Sequence, residues 1–337
     1  MTAKVAEPTK NYMGKIGNFI MEYLVLLGIV ILVIITAIIE PRFLSVENIT
    51  NLLRQFGPLS FMALGMTFII IGGFIDLSVP GMISLVTMVT LSLFDVLGEL
   101  PAMLVGMALG TTLGAINGTI LVKSGATTQA KALFITFGIS EIYSALSQLY
   151  TDGQVIDRTF IDHPMPITRL LSTGTVGIPF TSLELPISFF VFLFFLAILF
   201  VFQKKTLLGR SINYTGGNIL AAELGGIPTK RIMIMIYAIC GFMTAIGAIV
   251  LFARVPVAVP RLGEAFRSET IMAVVVGGTS LLGGKGSVLR TVLGVSLVIL
   301  LSNCLNLMGV QTHLQEVFRG AVLVTAIWLD HRRHAKG

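Results

Sequence analysis

Charged residues are scarce in this chain: they make up 12% of its 337 residues, against about 25% in a typical soluble domain. Its two cysteines lie in apolar runs and its four histidines are scattered, so we expect neither a disulfide framework nor a metal site. No nucleophile elbow, zinc-protease motif or pair of carboxylates is present, and we expect no catalytic residues and no enzymatic activity. Hydrophobic residues reach 55%, more than a soluble fold of this length can bury. The composition predicts an all-α integral membrane protein.

Long apolar stretches divide the chain into about ten predicted transmembrane helices, because a bilayer core needs about 20 apolar residues per helix. The predicted spans lie near residues 22–39, 56–74, 79–97, 101–122, 131–149, 185–203, 232–253, 269–282, 288–308 and 312–329. Glycine and proline interrupt the third and eighth spans, so we expect some of the helices to be discontinuous.

Lysine and arginine are concentrated on one side of these spans. Basic residues precede the first span and follow the fourth, sixth and last, which places both termini in the cytoplasm. The bias is incomplete, since five arginines fall on the outer side: Arg42, Arg54, Arg254, Arg261 and Arg267. The net charge of +6 follows from this topology and does not indicate nucleic-acid binding. We divide the chain into a cytoplasmic N-terminal segment (1–20), one transmembrane domain (21–330) and a basic cytoplasmic tail (331–337).

The most distinctive stretch is G-R-S-I-N-Y-T-G-G-N-I-L-A-A-E-L-G-G-I, residues 209–227. It lies in a basic loop, 204–231, that should face the cytoplasm. Small residues between two glycine pairs predict a short helix near 217–225, capped by Asn218 and ended by the second pair. We interpret this loop as a docking element for a cytoplasmic partner. Its predicted contact residues are Gly209, Arg210, Gly216, Gly217, Asn218, Ala221, Ala222, Glu223, Gly225 and Gly226.

Polar and aromatic residues within the spans are candidates for a solute pathway: Asp76, Asn117, Phe134, Thr136, Asn303 and Asn306. Asp76, the only carboxylate that we place near such a pathway, either gates it or caps the next helix together with Ser78, and we favour the cap. The three asparagines either line a conduit or join neighbouring helices through hydrogen bonds. Phe134 either stacks on a sugar ring or packs against protein or lipid.

Two glycine-rich segments have a similar pattern. Gly72-Gly73 and Gly277-Gly278 each follow an apolar run, and leucine and glycine recur after both at the same spacings, either through an internal repeat or through a shared packing demand. The second segment continues to Gly284-Lys285 but is not a phosphate-binding loop, because Thr279 and Gly286 replace its first glycine and its hydroxyl residue. We therefore expect no nucleotide on this chain.

Seven segments occur in the order typical of one family: F-L-S-V-E-N-I-T-N-L-L (43–53), G-G-F-I-D-L-S-V-P-G (72–81), A-I-N-G-T-I-L-V (115–122), F-I-T-F-G-I (134–139), residues 209–227, V-V-V-G-G-T-S-L-L-G-G-K-G-S-V-L (274–289) and N-C-L-N-L-M-G-V (303–310). With them, nearly the whole chain resembles the membrane permease of bacterial ribose-type ABC sugar importers. The central loop and the 277–287 segment are the most specific.

The resemblance implies a permease in the bacterial inner membrane that imports a ribose-like pentose or a hexose. Its expected partners are a cytoplasmic ABC ATPase subunit or twin-cassette ATPase, an extracytoplasmic sugar-binding protein, a second permease copy or paralogue, and membrane lipid. ATP and Mg would be used by the partner ATPase, with no cofactor on this chain. The 204–231 loop would be the coupling element, and its short helix would sit in a groove of the ATPase.

Three departures from the family pattern are visible: Pro80-Gly81 in place of Gly-Ser, F-R-S-E-T-I-M-A (266–273) in place of an acidic-rich segment, and Arg290 in place of glycine. The second departure leaves the substrate and the docking of the binding protein open. One alternative is the same architecture for a nucleoside, a polyol or a sugar-like signalling molecule. Another is a secondary transporter or channel that works alone, and a third is a membrane scaffold.

Overall fold

A computed structural model of the chain describes residues 12–126, 128–158, 165–180 and 183–334, with side chains from 25 to 328. Residues 1–11 and 335–337 of the predicted terminal segments lie outside this description. The helices are α1 (Tyr12–Ile39), α2 (Val46–Ile71), α3 (Val79–Ser92), α4 (Phe94–Leu97), α5 (Glu99–Lys123), α6 (Gln129–Tyr150), α7 (Pro166–Thr173), α8 (Ile187–Lys205), α9 (Leu207–Gly217), α10 (Ile219–Leu224), α11 (Thr229–Arg254), α12 (Phe266–Val276), α13 (Val288–Leu307) and α14 (Thr312–His334). Two 3-10 turns cover Pro41–Leu44 and Leu262–Ala265.

The prediction of an all-α membrane protein is confirmed. In the described part of the chain, six helices are long and apolar enough to cross a membrane: α2, α5, α6, α8, α11 and α13. The third and eighth predicted spans correspond to α3 and α12, which have only 14 and 11 residues. At 1.5 Å per residue they extend about 21 and about 17 Å, less than the hydrocarbon core of about 30 Å. The predicted helix over 269–282 is therefore wrong beyond Val276, because Gly277 ends α12.

The glycine pairs end α2 and α12 in the same way. Gly73 and Gly278 take left-handed backbone angles, with φ of 85° and 89°. The amide of the residue after each glycine bonds to the carbonyl five residues back, at 3.1 Å after Gly73 and 3.2 Å after Gly278. This bond pattern satisfies carbonyls at a helix end, and it needs a residue without a Cβ at the turn. Each glycine pair thus stops a helix and starts a loop.

The core of the domain forms around the second half of α2. Residues 56–71 are buried on every side, because α8, α11, α12 and α13 surround them. Aromatic rings fill the contact between α2 and α8, where Phe56 meets Phe192 edge-on at 5.1 Å between ring centroids. Such edge-to-face pairs add to the apolar burial of both rings. The helix that ends at the first glycine pair is therefore held rigidly.

Two small antiparallel sheets order the outer segments. Strand β1 (Ile156–Asp157) pairs with β4 (Val257–Ala258), and β2 (Thr175–Gly177) pairs with β3 (Glu184–Pro186). The first pair joins the long segment after α6 to the segment between α11 and α12. An ion pair of 2.6 Å between Arg158 and Asp95 lies beside it. The outer loop is therefore partly folded against the domain.

Small residues bring α5 against α11. A Cβ added at Gly114 would lie 2.2 Å from the carbonyl oxygen of Tyr237, and one at Gly241 would lie 2.1 Å from the carbonyl oxygen of Gly110. Glycines at every fourth position let the two backbones touch, as is usual where helices pack in membranes. This contact requires glycine because no side chain fits between the helices.

We expect the Gly114→Ala variant to have a lower midpoint of thermal unfolding in detergent, because overpacking costs about 1–3 kcal/mol. The matched control is Gly138→Ala on α6, where an added Cβ has nothing within 4 Å. That variant should unfold at or above the wild-type midpoint, since alanine favours helix. Equal midpoints for both variants would contradict the close approach of α5 and α11.

Candidate functional site

The central segment, which the sequence predicts to be cytoplasmic, folds as two consecutive helices. Residues 207–217 form α9, whereas the sequence predicted a loop before the first glycine pair, Gly216-Gly217. Thr206 caps α9 by accepting a bond from the Gly209 amide at 3.0 Å. The predicted cap of the following helix α10 is confirmed, because Asn218 Oδ1 accepts from the Ala221 amide at 3.0 Å. Gly226, with φ of 81°, turns the chain after α10 as predicted.

Three glycine pairs meet backbone to backbone where α9 ends. The pairs are Gly72-Gly73 after α2, Gly216-Gly217 at the end of α9, and Gly283-Gly284 in the loop after α12; we name this contact the glycine junction. A Cβ added at Gly216 would lie 1.8 Å from the Ile71 carbonyl oxygen, and one at Gly283 would lie 2.8 Å from the Gly73 Cα. The Gly284 amide donates to the Ile71 carbonyl at 2.8 Å. The predicted coupling segment is thus in direct contact with the end of α2 and with the loop after α12.

Amide side chains reinforce this contact. Asn213 on α9 donates through Nδ2 to the Gly284 carbonyl at 3.0 Å. Gln203, near the end of α8, donates to the Gly286 carbonyl and accepts from the Val288 amide, each at 3.1 Å. The loop 277–287 is therefore held by α8 and α9.

The outward surface of the coupling segment is apolar. Leu220 and Leu224 on α10 are 64% and 83% exposed, and Tyr214 on α9 is exposed beside them. A groove of about 390 Å³ adjoins them, lined by Asn213, Tyr214, Gly217, Asn218, Ala221, Ala222, Gly225 and Ile227. Exposed leucines at a cytoplasmic turn are a feature of interaction sites.

Two residues that we had assigned to the docking surface have contacts within the chain. Ala222 is only 6% exposed and packs inward, so Ala221 is the alanine of the pair that faces out. Glu223 accepts a bond of 2.5 Å from the Thr229 hydroxyl at the start of α11. Arg210 is exposed on α9. The outward contact surface therefore centres on the leucines of α10.

Three of the predicted pathway residues belong to one buried network. Asp76 is 1% exposed and accepts bonds from the amide and hydroxyl of Ser78, at 2.8 and 2.6 Å. Asn117 donates to the same hydroxyl at 2.7 Å and accepts from the Tyr143 hydroxyl at 2.7 Å. The Thr136 hydroxyl accepts from the backbone amide next to Asp76, at 2.9 Å. The network fixes the turn before α3. Asp76 accepts from Ser78 and not from an amide of the helix, and the Ser78 side chain forms no cap bond, so the predicted cap of α3 is not formed in this way.

The other three predicted pathway residues lie outside this network. Asn303 exchanges two amide bonds with Asn48, of 2.8 and 3.1 Å, and so joins α13 to α2. Asn306 accepts from Gln315 at 2.8 Å and lines a cavity of about 200 Å³ near the outer ends of α2, α11 and α13. Phe134 is strongly exposed on α6. The six residues thus do not form one site.

Sequence reasoning missed Glu141. It lies within the span that we predicted over 131–149, and its carboxylate forms ion pairs with Arg261 and Arg267 from the segment before and at the start of α12. A glutamate in an apolar span was the available signal, because such a carboxylate must meet protein or water. Asp76 is therefore not the only carboxylate to be considered for a pathway.

The helical domain, the broken helices and the cytoplasmic helix pair define a multi-pass permease of the membrane. Residues 48–327 match the family described as branched-chain amino acid transport system / permease component, and the chain belongs to this family. Its six apolar helices and family membership place it in the bacterial cytoplasmic membrane.

Curated relatives match almost end to end. The ribose import permease protein RbsC of Bacillus subtilis is 35% identical, with 96% of this chain and 94% of the relative aligned. The protein of the same name from Haemophilus influenzae is 33% identical, with 96% of both chains aligned. The D-allose transport system permease protein AlsC of Escherichia coli is 31% identical over 89% of each chain. No solved structure matches this chain significantly.

The glycine junction gives a direct prediction. The Gly216→Ala variant should displace α9, because its methyl group would collide with the Ile71 carbonyl, and trypsin should cleave at the lysines and arginines of 204–231 faster in inside-out vesicles. Gly217→Ala is the matched control, since an added Cβ there would be 4.0 Å from its nearest neighbour. We expect wild-type cleavage for that control. Equal cleavage rates for the two variants would contradict the junction.

Proposed function

We propose that this chain is the permease subunit of an ATP-driven bacterial importer that carries a ribose-like pentose or a hexose. The observation that supports this most is the end-to-end similarity to permeases named for ribose, at 33–35% identity. The family description mentions branched-chain amino acids, but relatives named for ribose, xylose and allose favour a sugar. The substrate is therefore a polyhydroxylated solute rather than an amino acid.

The partner on the cytoplasmic side would be an ABC ATPase, as a subunit or as twin cassettes, that uses ATP and Mg. The exposed leucines of α10 suit a hydrophobic groove on that ATPase, and exposed Arg210 suits the rim of such an interface. The cap at Asn218 fixes the direction of α10 relative to α9. The segment would thus dock as a preformed element, without an ordering cost.

Motion of the ATPase would reach the membrane through the glycine junction. Backbones in direct contact cannot slide freely past one another, since protein interiors are close-packed and resist deformation. A shift of α9 would therefore displace the end of α2 and the loop after α12 together. Alternating access would follow as a rigid-body rotation of these helices.

The remaining partners would meet the other surfaces of the domain. An extracytoplasmic sugar-binding protein would dock on the outer segments that β1–β4 order. A second permease, an identical copy or a paralogue, would complete the pathway, and lipid would surround the pair.

The docking proposal predicts that Leu224→Asp abolishes copurification of the ATPase, because a buried hot-spot residue is worth at least about 2 kcal/mol. Val96→Asp is the control: Val96 is also strongly exposed, but it lies at the outer end of the domain. Both tagged variants would be purified from native membranes and their partners quantified. Retention of stoichiometric ATPase by Leu224→Asp would contradict the assignment of α10.

The transport proposal is tested by uptake in proteoliposomes that contain the permease, its copurified ATPase and the binding protein. We expect ATP-dependent uptake of ribose, xylose or allose and no uptake of leucine. Uptake of a nucleoside or polyol instead would support an ATP-driven importer but contradict the assignment of a sugar as its substrate. Solute movement without ATP would overturn the importer and establish a stand-alone transporter or channel.

A further inference from the structure

An ion-pair cluster lies halfway along α6. Glu141 is 12 residues after the first residue of α6, about 18 Å along a helix of 1.5 Å rise, and hence near the middle of the bilayer. Its two carboxylate oxygens lie 3.2 Å from an Arg261 nitrogen and 3.3 Å from an Arg267 nitrogen. Glu264 also pairs with Arg261. Two arginines that the sequence placed outside are therefore folded down to mid-membrane.

The cluster is not enclosed by the chain. The Glu141 side chain is 40% exposed and that of Arg261 is 47% exposed. A charged side chain at the bilayer centre costs at least about 2.5–3.5 kcal/mol when it faces lipid. Four charges on one surface would multiply that cost. This face of α6 therefore meets water or protein rather than acyl chains.

The segment that carries Arg261 is held in a strained form. Arg261 has φ of 67°, a left-handed conformation that is uncommon for residues other than glycine. Two residues later, the Gly263 amide donates to the Ser84 hydroxyl at 3.2 Å, and a Cβ added at Gly263 would lie 2.0 Å from the Pro80 carbonyl oxygen. Contact with α3 thus enforces the strained turn. Strain of this kind, maintained by surrounding packing, is frequent at ligand-binding sites.

The groups at this face suit a sugar. Hydroxyl groups can donate to the Glu141 carboxylate and accept from the guanidinium of Arg267, whose side chain is 30% exposed. Phe137 lies under the Arg267 guanidinium at 5.2 Å, and Phe134, on the same face of α6, presents a ring one turn further toward the cytoplasm. Aromatic rings cover the apolar face of a sugar while charged groups bind its hydroxyls.

We propose that Glu141, Arg261 and Arg267 form a solute-binding station in a water-filled pathway, with Phe134 and Phe137 as its stacking surface. The station rests on the proposed sugar import, and it names the residues that the solute contacts. Glu141 accepts hydroxyl hydrogens, and Arg267 donates to hydroxyl oxygens. The second permease would close the opposite side.

Water access is tested with the Glu141→Cys variant in the full transporter. A membrane-impermeant, positively charged thiol reagent should modify it, because the native Cys240 and Cys304 are buried and give little background. The matched control is Phe194→Cys on α8, which is mid-helix and strongly exposed but has no charged cluster, and which should not react. Ribose, xylose or allose delivered with the binding protein should slow the modification of Glu141→Cys. No reaction, or no protection by any transported sugar, would overturn the station.

A conservative variant separates binding from structure. Glu141→Gln keeps the side-chain shape but loses the charge, and we expect the KM for uptake to rise about tenfold, as for one lost charge-assisted hydrogen bond. ATPase copurification should stay unchanged. Glu40→Gln, which breaks the exposed 2.7 Å pair with Arg42, is the control and should leave KM unaltered. An unchanged KM in Glu141→Gln would reduce the cluster to a structural ion pair.

Different results would contradict the proposed sugar import and the proposed solute-binding station. If the wild-type transporter takes up none of the sugars but Glu141→Cys still reacts with the aqueous reagent, the sugar assignment fails and the water-filled pathway is supported. If the wild type imports a sugar but Glu141→Cys is inert, the import proposal stands and the station is overturned.

Discussion

The fold depends on backbones that touch at glycine. At the glycine junction, the end of α2, the end of α9 and the loop after α12 approach so closely that an added methyl group would collide with a carbonyl oxygen. Two of the three pairs turn the chain with positive φ angles, at Gly73, Gly283 and Gly284, and the third lies at the end of α9. Because these glycines bring the elements into backbone contact, α9 and α10 cannot move independently of the end of α2 and the loop after α12.

Half-length helices create the polar interior of the domain. Because α3 and α12 stop within the membrane, backbone groups and charged side chains reach a depth at which they cannot face lipid. The chain satisfies them in two ways. Around the start of α3, Asp76, Ser78, Asn117 and Tyr143 form an enclosed network, in which Asp76 Oδ2 is left without a partner in the described structure. Before α12, by contrast, the ion pairs of Glu141 are left partly open on the surface of α6. Closed networks stabilise a turn, whereas an open one needs water, a second subunit or a solute to complete it.

Several features of the fold depend on interactions between residues that are close in sequence, and these features are predictable. The apolar spans and the cap at Asn218 depend on neighbouring residues alone, and both could be derived from the sequence. An interruption of the eighth span by glycine could be expected as well, but the end of α12 at Val276 could not. The meeting of three distant glycine pairs could not, because a contact between backbones leaves no pattern in side chains. Asn303 bonds to Asn48 and Glu141 to Arg267. Neither partner could be predicted, because each is distant in sequence. The inward position of Ala222 depends on how α10 packs, which a helical pattern of six residues does not determine.

Helix α12 links the two parts of the proposed mechanism. It starts beside the cluster, at Arg267, and it ends at Gly277, a few residues before the glycine junction. Its 11 residues extend about 17 Å, and a helix of that length packed against α2 and α13 moves as a rigid body. The segment before it is fixed to the second turn of α3, where the Gly263 amide donates to the Ser84 hydroxyl, so α3 shares the displacement. The first turn of α3 in turn touches α6, since a Cβ added at Gly81 would lie 2.3 Å from the Ser140 carbonyl oxygen, so Glu141 would move together with α3 and α12. A push on α9 from the cytoplasm would thus move the cluster as one unit and change the side to which it opens, as alternating access requires.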